Sequence, residues 1–100
     1  MTRVLTWAAN RALNARRVVD AVNEFRRDEQ QSGGDMTDEI ADMLTVFRKR
    51  GLTVTRDVLD EAERIVLTNH KRTIGRVGVR DRADTKVRAV FSRLKESIEE

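Results

Sequence analysis

No proline occurs in this 100-residue chain, and its only glycines are Gly33, Gly34, Gly51, Gly75 and Gly78. Proline breaks a helix interior by removing an N–H and crowding the preceding turn, and glycine weakens one through its backbone entropy. With the first absent and the second confined to three places, long helices meet no obstacle, and the glycines divide the sequence into four segments. No internal repeat and no sustained heptad pattern accompanies them, so neither a solenoid nor a coiled coil is required.

The first segment, from Thr2 to about Gln31, is rich in Ala, Arg, Leu and Asn and reads as one helix of roughly eight turns. At 100° per residue, Val4, Trp7, Ala8, Ala12, Ala15, Val18, Val19, Val22 and Phe25 share one broad face. Ala8, Ala12 and Ala15 line its middle, where a second helix can come close. Arg11 projects onto the same face, so it either snorkels past the edge or meets a carboxylate from elsewhere. At about 45 Å when straight, this helix is longer than a globule of this size is wide. Part of its apolar face is therefore expected to meet a second copy or a different partner, with Trp7, Val18, Val22 and Phe25 as the candidate contact residues.

The stretch Gln30-Gln31-Ser32-Gly33-Gly34-Asp35 reads as the loop that ends the first helix. Thr37 then serves as an N-cap candidate, followed by Ile40, Met43, Leu44 and Phe47 at i, i+3, i+4 and i+7. Arg48-Lys49-Arg50 before Gly51 makes a cationic last turn and a C′ glycine. Leu52 to Thr55 reads as an extended connector, and Thr55 as the cap of a third helix carrying Val58, Leu59, Ala62, Ile65 and Val66 and running to about Thr73. Val87, Val90, Phe91, Leu94 and Ile98 mark a fourth, with Asp81 or Asp84 as its cap. The expected fold is all-α, a compact bundle of about four helices with a long N-terminal helix. It is a single domain over residues 1–100, with helices two to four forming a three-helix unit over about 37–98.

The catalytic inventory is small: there is no Cys and no Tyr, one Trp, and His70 is the only histidine. His70 has no second histidine with which to hold a metal and reads as a lone surface residue. Asp57, Asp60, Glu61 and Glu63 interleave with Arg56 and Arg64 at spacings that give ordinary surface ion pairs. No phosphate loop, dinucleotide fingerprint, zinc-protease or EF-hand pattern occurs. No catalytic residue, metal or cofactor is therefore expected, and the chain is read as non-enzymatic. No run approaches the roughly 18 apolar residues of a membrane span, and Arg3, Asn10 and Arg11 interrupt the N-terminal stretch, so a soluble, cytoplasmic protein is expected.

The net charge of +3 is unevenly spread. Residues 70–88 carry seven basic groups against two acidic ones, whereas 37–69 carry five against seven. Lys71, Arg72, Arg76, Arg80, Arg82, Lys86 and Arg88 surround the Gly75–Gly78 link between the third and fourth helices, with Asp81 and Asp84 as local neutralisers. Arginines beside glycines bring guanidinium and backbone N–H groups to phosphates, and the dipole of the fourth helix favours an anion there. Helices two and three also have the order of a helix-turn-helix, but the acidic first half of the third would be repelled in a groove.

All four aromatic residues lie on core-like stripes, which leaves none to stack on bases, so binding is expected to be backbone-directed and salt-sensitive. The expected function is that of a small basic accessory or regulatory protein that contacts nucleic acid, DNA or RNA, through these seven residues, with a homodimer through the first helix. The alternative is a protein-interaction module, an adaptor, assembly subunit or inhibitor of a larger complex, a style of chain common among phage and mobile-element products.

Overall fold

Cap chemistry sets the helix ends that side chains can be seen to make. In a computed structural model the helices are α1 (Thr2–Asp28), α2 (Met36–Lys49), α3 (Arg56–Thr73) and α4 (Val77–Ile98). The structure describes the backbone of residues 2–28 and 36–98 and the side chains of 10–24 and 39–98. The loop expected over Gln30–Asp35, and the side chains of Val4, Trp7, Ala8, Phe25 and Thr37, lie outside the described residues.

Thr55 caps α3 as its sequence position implies: its Oγ1 accepts the Val58 N–H at 3.2 Å. At the end of α2 the Gly51 N–H donates to the Arg48 carbonyl and the Leu52 N–H to that of Phe47, each at 3.0 Å, while Gly51 sits at φ +65°. This is a Schellman closure, and the left-handed position explains the glycine. Leu52 to Thr55 then continues without regular structure. Two expected starts differ. Helix α2 begins at Met36, which puts Thr37 inside the first turn, and α4 begins at Val77, which makes Asp81 and Asp84 interior residues rather than caps.

Among the described residues each helix packs on two others, α1 and α4 both lying against α3 on one side and α2 on the other. Helices α1 and α3 run in the same direction: Asn10 and Asn14 lie beside Thr55 and Asp57 at one end, and Asn23 lies beside Asn69 at the other. Helices α3 and α4 are antiparallel, with His70 meeting Asp84 at one end and Asp60 meeting Lys95 at the other. The core gathers Ala15, Val18 and Val22 from α1, Met43 and Phe47 from α2, Leu59 and Ala62 from α3, and Val87, Phe91 and Leu94 from α4.

Helix α1 is thus a member of the bundle, and among the described residues α2 and α3 do not pack on each other, so these residues form a ring of four helices rather than the three-helix unit expected over about 37–98. Ala12, which the 100° projection puts on the apolar stripe, is exposed, while Ala21 is buried. At 27 residues α1 is about 40 Å long, within the 45 Å long dimension of the molecule. Among the described residues no helix is long and apolar enough to cross a membrane.

Candidate nucleic-acid interface

The turn between α3 and α4 is short. Ile74 closes α3 by donating its N–H to the His70 carbonyl at 2.9 Å, and the Arg80 N–H donates to the Arg76 carbonyl, also at 2.9 Å, in the first turn of α4. The link therefore spans only residues 74–76, and Gly78 belongs to the helix. No acidic residue occupies the first turn of α4. A Cβ built on Gly75 or on Gly78 would meet nothing within 4 Å, so the backbone is open to an approaching group on this side. The first N–H groups of a helix have no intrahelical acceptor and carry the positive end of its dipole.

Around this turn stand the seven basic residues. Lys71 and Arg72 lie in the last turn of α3, Arg76 in the link, and Arg80, Arg82, Lys86 and Arg88 along α4. All are exposed except Arg80, which projects along the core stripe and is half-buried. Among the described residues, none of the seven forms an ion pair or a side-chain hydrogen bond. Geometry divides them. Arg82 and Lys86 sit one turn apart on one edge of α4, and Arg93 continues that row, the three projecting within about 40° of one another over about 16 Å. Arg88 lies at least about 120° around the helix from this row and stands apart from it. Arg93, which is exposed, was legible from the helical period but falls beyond the charge-rich segment.

Asp84 is turned inward and, among the described residues, pairs with none of the seven cations. Its Oδ1 lies 2.8 Å from the Nδ1 of His70, with the two side chains 19% and 13% exposed. His70 is therefore not a lone surface histidine but half of a contact that ties the hairpin together. It escapes sequence reading because its partner is 14 residues away on the next helix.

At the far end of α3, Lys95 hydrogen-bonds Asp60 at 2.5 Å and reaches Glu63 at 3.5 Å. Burial pulls the Lys95 ammonium down, but the Asp60 hydrogen bond and the charges of Glu63 and Asp60 outweigh it, leaving its pKa above the ordinary lysine value. Two of the four carboxylates on α3 are thus committed to α4. Glu61 bonds Arg64 within α3, with the Arg64 Nε donating to Oε2 at 3.2 Å. That hydrogen bond, opposed by desolvation and helped by the Arg64 and Arg11 charges, holds the Glu61 carboxyl below its usual range. Arg11, the last of these influences, is half-buried beside α3. Among the described residues α2 and α3 do not pack on each other, which removes the helix-turn-helix arrangement.

Of the residues expected at a partner interface, Val18 and Val22 are 0% and 2% exposed inside the chain's own core. Their stripe is already covered by α2 and α3, which corrects the expectation that they meet a second chain. Trp7 and Phe25 lie in α1 with side chains outside the described set. Comparison with protein-family models, with curated proteins and with solved structures finds no match to this chain.

Proposed function

We propose that this protein binds nucleic acid without catalysis, holding the phosphate backbone on the α3–α4 hairpin. The observation that carries the reading is the set of exposed cations around the turn, none of which is ion-paired among the described residues. An unpaired surface cation releases condensed counterions when it meets a phosphate, and each such contact adds affinity that salt removes. The Arg82–Lys86–Arg93 row supplies a linear track, and Arg76 with the open first turn of α4 supplies an end point where a phosphate approaches backbone N–H groups. With no aromatic side chain assigned to base stacking, the hairpin reads charge and spacing more than sequence. An adaptor that used the apolar face of α1 would compete with the chain's own core for Val18 and Val22, which favours the nucleic-acid reading.

The test is the triple variant Arg76→Ala, Arg82→Ala and Lys86→Ala, measured against a labelled random duplex and a single strand. The affinity at low salt is expected to fall by one or more orders of magnitude with helicity unchanged, since all three side chains are exposed. Unchanged affinity in a folded variant removes the hairpin from the interface.

A further inference from the structure

A second feature lies on the other side of α3. Helices α1 and α3 run side by side, and along the C-terminal half of α3 they leave an open groove of about 430 Å³. Its floor is apolar, made by Val19, Ile65 and Val66, and its rims are polar. Arg16, Asp20 and Asn23 stand along one ridge of α1, at i, i+4 and i+7, and Thr68, Asn69 and Arg72 line the α3 side. The side chains of Arg16, Asp20, Asn23, Asn69 and Arg72 form no hydrogen bond or ion pair with other described residues. Arg64, the third cation on the rim, is engaged by Glu61 and does not compete for Asp20.

Two features separate this groove from an ordinary seam between helices. First, its polar groups are of complementary kinds: two free guanidinium groups for a phosphate, two amides that both donate and accept, and one carboxylate that only accepts. Second, they surround a small apolar floor in a groove whose volume lies within the range of small-ligand sites. A bare anion would use the arginines and leave the floor and the amides idle, and Asp20 would repel it. A ligand that joins an anionic group to a flat, amino-bearing heterocycle uses all of them.

We infer that the α1–α3 groove takes a nucleotide unit, with its phosphate on Arg16, its base against Val19 and Ile65, and the base edge read by Asp20, Asn23 and Asn69. The inference goes beyond the hairpin reading, and of the groove's lining residues only Arg72 belongs to both. A free nucleotide and one unit of a bound strand present the same chemistry to the groove.

The experiment titrates the full chain with the four ribonucleoside 5′-monophosphates and, separately, with inorganic phosphate, following the side-chain amide signals of Asn23 and Asn69. The expected result is saturable shifts of both amides with at least one nucleotide, and about a tenfold weakening in Arg16→Ala and in Asn69→Ala. Arg17→Ala, an exposed cation of α1 outside both the groove and the hairpin, is expected to leave mononucleotide binding unchanged. Each substituted side chain is exposed, and circular dichroism verifies that each variant is folded. A four-residue single strand separates the two sources. If it binds more tightly than its monomer and Arg82→Ala removes the gain, the groove serves a strand held by the hairpin; equal affinities assign a free nucleotide. No saturation by any nucleotide up to about 10 mM, or shifts that inorganic phosphate alone reproduces, overturns the inference. That result leaves the hairpin variants to be judged on their own outcome.

Discussion

Arg82 and Arg88 are the same residue type on the same helix, yet they face different sides of it, and this makes them a sharp pair of probes. If a strand runs along the Arg82–Lys86–Arg93 row, Arg82→Ala is expected to lower the magnitude of the salt slope by about one. Arg88→Ala, at least about 120° away, is expected to change it by much less. Gly78 separates structure from function in another way. It lies within the first turn of α4 with nothing within 4 Å of a built Cβ. Gly78→Ala is therefore expected to raise stability by up to about 1 kcal/mol while weakening nucleic-acid binding, because the methyl group stands where a phosphate approaches the backbone. Asp84→Ala reverses those signs: it removes the His70 partner and costs about 1 kcal/mol, but it strips a negative charge from the hairpin and tightens binding. Thermal unfolding and a binding titration on each variant check both signs together.

At the scale of elements, the ends of α3 and of α2 were legible because their signals are local. Thr55 is three residues from the N–H it accepts, and Gly51 sits directly after a cationic turn in the left-handed conformation that glycine adopts most easily. Gly51→Ala is expected to cost about 1 kcal/mol, seen as a lower midpoint in chemical denaturation with an unchanged slope. The start of α4 was misread because Asp81 and Asp84 are good caps in isolation, whereas the helix begins four residues before Asp81, at Val77. What no single-helix reading exposes is the pair of contacts that fix the α3–α4 register, His70 with Asp84 and Lys95 with Asp60 and Glu63. Those partners are far apart in sequence, and their meeting depends on the antiparallel packing itself. The basic hairpin residues were visible as a charge excess, but their division into a row and an outlier needed the helix start.

For the whole molecule, the apolar spacing sufficed for an all-α bundle of about four helices, and it did not say which helices touch. The long first helix invited a partner because its length was compared with a globule's width, yet over its described residues the stripe, from Ala15 to Val22, is filled from within by α2 and α3. Val18→Glu, at a position 0% exposed, is accordingly expected to unfold the entire chain rather than dissociate an oligomer. Circular dichroism together with solution mass distinguishes the two. The ion pairs also set how stability varies with pH. The Glu61 pKa stands below its ordinary value of 4.5 in the folded chain, so its contribution is present above that value and disappears as pH falls through the lowered one. Lys95 stands above 10.5, so its contribution is complete below 10.5 and is lost as pH rises through the raised value. A Lys95→Met variant is expected to flatten the alkaline limb of a melting-temperature profile and to leave the Glu61 contribution at acid pH in place.

In the proposed function, exposed, unpaired cations on the α3–α4 hairpin hold a phosphate backbone. The most direct measurement is the affinity of the intact chain for a random duplex and a single strand across a salt series, repeated with Arg82→Ala plus Lys86→Ala. Log affinity is expected to fall linearly with log salt concentration, and the double variant to flatten the slope by about two with its helicity retained. Absence of binding at low salt, or a folded double variant with the same slope, contradicts the proposed function.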